Sequence, residues 1–346
     1  MITLNVTYTP ALTWSEFCAT KPAFSIALDG FVSGGPRFEY MRAAREAPAG
    51  REAPAGREDD LVPYANLDHH DGCSRLATRA TCGQVLIALR QGLFKAFRQG
   101  GVPTAHVHVN DCDEDVAMSW FLLRNHVLAE QPLNPLLNRL VMMEDALDAT
   151  AGAYPFPSDL PVLGELAWVF EPYRQFRLSG QLHVPQGLHA ARRSALEVAV
   201  SYRSVIEDVV GRISRHIMGS GHSIPLDTRY ERIGGGRVGD AAASWAMVRE
   251  IGAQARTGMF ADGITAYVSV RDRGDGRYTY VVGRMSPFIP FDLVRIYAAC
   301  NEAEGVAGDL WGGSDTVGGS PRVTGSKLDP DTIARIVESV LGDESR

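Results

Sequence analysis

Asp68-His69-His70 places one carboxylate and two imidazoles at a single point of the chain, directly after the strand-like run that ends at Leu67. A second concentration of chemistry follows at Asp111-Cys112-Asp113-Glu114-Asp115. Its acids at alternate positions come after Ala105 to Asn110, which reads as a buried strand. Carboxylates crowded at a strand's end repel one another unless a cation lies between them. The chemistry these residues suit is therefore a divalent metal site, for two ions. Asp29 supplies another strand-end acid, after the apolar run Phe24 to Leu28, although Asp29-Gly30 is also the dipeptide a tight turn uses.

The elements needed to position these residues can be read from periodicity. Val85, Leu86, Leu89, Leu93, Phe94 and Phe97 recur at helical spacing over Thr81 to Gly100, and Val116, Trp120, Leu123 and Val127 do so from about Val116 to Ala129. Strand, loop and helix in alternation imply a mostly parallel sheet flanked by helices, an α/β fold whose ligands lie outside the carboxyl ends of the strands. That arrangement brings Asp29, Asp68 to His70 and Asp111 to Asp115 to one edge. Leu136 to Asp148 reads as a further helix, with Asp148 either a helix-end acid or a member of the site.

The chain has 346 residues, enough for two domains. Hydrophobic content of 45%, charged content of 22% and a net charge of -7 describe an ordinary soluble protein. They exclude the extended basic face that a coat for duplex DNA or a membrane surface requires. No apolar run approaches the ~18 residues of a membrane span, and the first ten residues lack a secretory pattern. The five cysteines show no paired spacing. A cytoplasmic protein with reduced thiols is expected. Arg45 to Gly50 recurs letter for letter as Arg51 to Gly56, so residues 43–60 read as a surface insertion that can bury no core.

The expected division is a metal-binding domain over 1–185, a linker helix within 186–222, and a smaller α/β domain over 223–346. In the last of these, Ile264 to Val270 and Tyr278 to Gly283 read as a hairpin, Asp292 to Ala303 as a helix, and Gly312 to Arg322 as a glycine-rich stretch. Exposed amides, hydroxyls and a guanidinium suit that stretch to phosphate. Glycine-rich turns without a ligand are the alternative.

Together these residues resemble the DHH phosphoesterase superfamily, which includes oligoribonucleases, single-strand exonucleases, cyclic dinucleotide phosphodiesterases and manganese inorganic pyrophosphatases. Asp68-His69-His70 looks like the motif that names it. Asp111 to Ser119 is similar to its Asp-Pro-Asp-Gly-Asp-Ala-x-x-Ser segment, and the second half resembles its associated substrate domain. The motif order is reversed relative to the family, as in a circular permutation. Val109 stands where the family has a histidine, with His108 beside it, and Ser314 and Ser320 replace a loop histidine.

The resemblance implies Asp29, His69, Asp111, Asp113, Asp115 and Asp148 as metal ligands, with Asp29 as the bridge. It implies His70 facing a phosphate and Asp68 orienting the histidines. Arg284, Gly318, Gly319, Ser320 and Arg322 would then hold the rest of the substrate. The implied cofactor is a pair of Mn2+ ions, with Mg2+ also fitting. The implied reaction is hydrolysis of a small phosphorylated molecule, nucleotide or very short oligonucleotide by water shared between the ions. Inorganic pyrophosphatase and a non-catalytic nucleotide-binding or regulatory protein are the alternatives, and a homodimer is compatible with either.

Overall fold

The computed structural model describes residues 1–42, 61–152, 156–157, 159–178, 188–237, 244–321 and 324–342. The duplicated stretch within 43–60, part of the proline-rich stretch 154–161 and Arg322 lie outside the described residues. The protein is α/β, with helices flanking mixed sheets. It divides into two units: Met1–Asp145 with Trp168–His222, and Ala146–Ala167 with Ser223–Arg346.

The first unit is built on five strands: β1 (Ile2–Val6), β2 (Ser25–Leu28), β3 (Arg37–Arg42), β4 (Leu61–Leu67) and β5 (Ala105–Val109). Their spatial order is β1-β5-β2-β4-β3. β1, β5, β2 and β4 run parallel, as the pairs Leu4↔Val107, Ile26↔Val107 and Ile26↔Ala65 show, while β3 joins β4 antiparallel. All four residues of β2 are buried, without alternation, as in a strand covered on both faces. The parallel register delivers the residues after Leu28, Leu67 and Val109 to the same edge of the sheet.

Three helices of this region matter to the site: α1 (Thr81–Arg90), α2 (Glu114–Arg124) and α3 (Pro135–Ala149). α1 stops earlier than its periodicity predicts, because Gly92 adopts a left-handed φ of 95° and a new turn begins at Leu93. α2 also ends early, at Asn125, whose side-chain amide donates to the Phe121 carbonyl and competes with the helix. A long helix, α4 (Leu188–Arg215), packs on α2 and β1 with Tyr202, Val205, Ile206, Val209 and Ile213 buried. It groups with the first unit, where the sequence reading made it a linker.

The second unit contains β6 (Tyr230–Arg237), β7 (Ser244–Glu250), β8 (Ala266–Asp272), β9 (Tyr278–Arg284), β10 (Gly312–Gly313) and β11 (Val317–Gly319), in the order β10-β11-β9-β8-β7-β6. β8 and β9 form the expected hairpin with Val268 opposite Val282, and β7 lies parallel to β8. Its core gathers Trp245, Val268, Tyr280, Val282 and Phe291 with Ile296 of α5 (Leu293–Glu304) and Ile333 of α6 (Pro330–Gly342). Among the described residues no helix is long and apolar enough to cross a membrane.

Candidate metal centre

Asp29 leaves β2 with φ of 49°, a left-handed conformation rare outside glycine but tolerated by Asp. Its amide donates to the Leu67 carbonyl at 3.0 Å, and the next amide, Gly30, donates to Oδ1 of Asp68 at 3.0 Å. The Asp-Gly turn and the strand-end acid are thus one feature. Asp68 is fully buried, and its Oδ1 also accepts from the His70 amide at 3.1 Å and contacts His70 Nδ1 at 2.9 Å. It therefore orients one histidine, where the sequence reading had it orient both. The second carboxylate oxygen, Oδ2, is buried with no hydrogen-bond partner among the described residues.

His69 is fully buried, with Nε2 at 3.5 Å from Asp29 Oδ1 and 3.8 Å from Asp115 Oδ2. Its neighbour His70 is partly exposed, with Nδ1 3.4 Å from the same Asp29 oxygen. Burial works to raise the Asp29 pKa, but the His70 charge, the His69 contacts and the Thr81 hydroxyl outweigh it, so the carboxyl lies well below the usual range. Burial likewise works to lower the His70 pKa, and is outweighed by the Asp29 charge and the Asp68 hydrogen bond, so the imidazole is shifted upward. Each group shifts the other toward its charged form.

Asp115 reaches the group from the first turn of α2 and is fixed there by α1. The cap position of α1 is Ala80, which has no side-chain acceptor for the open amides of a helix start. Asp115 accepts from Thr81 N and Cys82 N, each at 2.6 Å, and Asp145 of α3 accepts from Ala80 N at 2.8 Å and Arg79 at 2.6 Å. The Thr81 hydroxyl donates to Asp29 at 3.0 Å, tying the same turn to β2. A Cβ at Gly83 would lie 2.7 Å from the Asp145 carboxylate, so glycine is required for that approach.

Donor atoms of Asp29, His69 and Asp115 lie within 4.8 Å of one another, as do those of Asp29, His69 and His70. This buried Asp/His/Asp cluster could bind a metal ion. The donor set fits a hard or borderline divalent cation, being oxygen and imidazole without thiolate. The buried Asp68 oxygen points the same way, because a carboxylate oxygen removed from water without a partner is costly.

Asp111 and Asp113 are placed differently. Asp113 caps α2, its Oδ1 accepting from Val116 N at 2.9 Å, and Asp111 accepts from Cys112 N at 2.6 Å. Neither belongs to a group of three or more close donors among the described residues. Asp148 sits in the last turn of α3, three residues beyond Asp145 and so on the same helix face, in a stretch that groups with the second unit. Val109 is fully buried in β5. Beside it, His108 contacts the Ser25 hydroxyl at 3.1 Å and packs between Phe17 and Phe31, a neutral core side chain pushed down to about 3 by burial and the charges of Lys21 and His106.

In the second unit, the Arg284 guanidinium donates to the carbonyls of Asp315 at 2.6 Å and Ile289 at 3.0 Å. Gly318 and Gly319 pair with Val282 and Val281 of β9, so the glycine-rich stretch is here a sheet ribbon in place of an open loop. Ser320 is buried, exchanging hydrogen bonds with Tyr280 through both its hydroxyl and its amide. A Cβ at Gly318 would fall 2.3 Å from the Tyr297 hydroxyl, so close packing explains the glycine without a phosphate.

Sequence reasoning missed Thr81, Arg79, Asp145 and Arg75. A readable signal existed for the first three: a helix opening at Ala80 with no capping side chain needs acceptors from elsewhere. No family model, curated protein or solved structure matches the chain.

Proposed function

We propose that the protein is a divalent-cation-dependent phosphoric ester hydrolase acting on a small phosphorylated molecule, a nucleotide or a very short oligonucleotide. The observation that carries this reading is the convergence of Asp29, His69 and Asp115 at the carboxyl edge of a parallel sheet. The resemblance to DHH phosphoesterases supplies the reaction class.

Asp29, His69 and Asp115 would hold one cation, Mn2+ or Mg2+. A second ion using Asp111 and Asp113 rests on the resemblance alone. Bound divalent cations supply positive charge to phosphoryl oxygens and lower the pKa of water. His70, partly exposed and held beside Asp68 and Asp29, would donate to a phosphoryl oxygen or a leaving group. Asp68 fixes its ring, and Thr81 fixes the Asp29 carboxylate against α1. The net charge of -7 favours small anionic substrates over duplex DNA.

The test is Mn2+ binding by calorimetry together with phosphate release from pooled small nucleotides, pyrophosphate being assayed separately. His69→Ala is expected to lose at least ~100-fold in turnover, the scale at which a catalytic constellation responds to losing one member. Turnover unchanged in His69→Ala would sink the proposal. Faster turnover on pyrophosphate than on any nucleotide would select the pyrophosphatase. A second reading, the non-catalytic binder, is favoured by two observations: Asp113 is a helix cap and Val109 offers no imidazole. Mn2+ binding with no release from any pool would select it.

A further inference from the structure

An exposed stripe runs along α4 through Ser204, Asp208, Gly211 and Arg215 and on to Met218 just past the helix, at steps of four, three, four and three. That spacing keeps one seam of a helix in line, as where two helices pack along their length. Two features of the stripe have no reason within the chain itself. The first is a pair of opposite charges, Asp208 and Arg215, both exposed and neither in an ion pair with another described residue. The cation Asp208 would meet one turn on, Arg212, is drawn away to Glu171 at 2.6 Å and to the Trp168 carbonyl at 2.5 Å. Both charges border a cleft of about 470 Å3 against Glu171, Pro172 and Gln175, so they face open space. The second feature is Gly211, in the interior of a 28-residue helix, where glycine is less favourable than alanine. A Cβ there would meet nothing within 4 Å.

We propose that this stripe is the seam of a homodimer, in which α4 crosses α4 of a second copy antiparallel at Gly211 and Asp208 of each chain pairs with the partner's Arg215. Asp208 lies three residues before Gly211 and Arg215 four after it, so one antiparallel register forms both pairs at once. A parallel crossing would set Asp208 against Asp208 and Arg215 against Arg215. The missing Cβ at Gly211 lets the two backbones approach where they cross. The same register lays Met218, 78% exposed, against the partner's Ser204, a side chain small enough to receive it. A second copy is the occupant these charges select, because the stripe is complementary to itself. A lone helix crossing is smaller than the roughly 1,600 Å2 of a standard interface, so micromolar association is expected. The dimer does not depend on the cation site.

Sedimentation velocity of the full chain from about 1 to 100 μM is expected to show monomer passing to dimer. Asp208→Arg and Arg215→Asp each set like charges across the two-fold axis, and each alone is expected to sediment as a monomer. Mixed one to one, the two variants restore both pairs, and a heterodimer is expected. A change confined to the fold of either chain would not give that recovery. Gly211→Leu is expected to weaken self-association at least ~10-fold while unfolding at no lower temperature than the unaltered protein, since its side chain enters open space in the monomer. An unaltered chain that remains monomeric at every concentration overturns the proposal. So does a dimer that the single variants retain, or a mixture of the two that stays monomeric.

Discussion

Asp29 combines a backbone duty with a side-chain one. Its left-handed φ of 49° suits Asp and Asn far better than Ala, and its carboxylate joins two histidines. Asp29→Asn is therefore expected to keep the turn while weakening Mn2+ binding at least ~10-fold, measured by calorimetry, because the charge alone is lost. Asp29→Ala should lose the binding and in addition about 1 kcal/mol of stability, read from urea unfolding with chelator present. His108 carries a second prediction. Its folded pKa of about 3 lies below the ordinary 6.5, so as pH falls below 6.5 the unfolded chain takes a proton that the folded protein refuses. Stability contributed by neutral His108 is complete above pH 6.5 and declines from there toward pH 3, at most by about 1.4 kcal/mol per pH unit. His108→Gln should flatten that part of the urea-midpoint profile. At this scale, Asp29, His69 and Asp115 were legible because a strand's end and a donor's chemistry are local properties. The difference between Asp113 and Asp115 lies in a helix start: α2 begins at Glu114, which makes Asp113 its cap and carries Asp115 inward. Arg75 was illegible, since only the folded loop brings it to His69.

α1 shows how an element can depend on others for its own ends. Lacking a capping side chain at Ala80, it borrows Asp115 from α2 and Asp145 from α3. Asp115→Ala should accordingly cost about 1–2 kcal/mol even with chelator present, the worth of a lost helix cap, by chemical denaturation. A purely metal-binding role would leave the chelated protein unaffected. Gly83→Ala sets a methyl group 2.7 Å from the Asp145 carboxylate and should destabilise by about 1–3 kcal/mol despite alanine's higher helix propensity. A rise in its unfolding temperature would refute the packing argument. The buried strands β2 and β5 were readable as short segments ending in an acidic turn, and the β8–β9 hairpin from its turn. β1 was not, because it is secured by pairing with a strand a hundred residues away, which no short window contains.

At the scale of the whole molecule, the two units do not follow the boundaries the sequence suggested. The first unit includes α4, whose Tyr202, Val205, Ile206, Val209 and Ile213 are buried, at roughly 1.5–3 kcal/mol for each large apolar side chain. That sum is comparable to the ~5–15 kcal/mol that stabilises a typical domain. A fragment ending at residue 185 is thus expected to show no cooperative thermal transition by circular dichroism, whereas the intact chain shows one. Cation binding at the sheet edge should also raise the stability of the intact chain by about 2.7 kcal/mol at one hundred times the dissociation constant, seen as a higher unfolding temperature reversed by chelator.

The interleaving of the two units has a consequence for biosynthesis. Residues Ala146–Ala167 leave the ribosome before Trp168–His222, yet they group with chain that is made only afterwards. At about 5–20 residues per second, the sheet bearing the acids waits several seconds for the helix that covers it. Through that interval the nascent polypeptide exposes the apolar faces of α2 and β1, which makes it a substrate for chaperones at a definable length of translation.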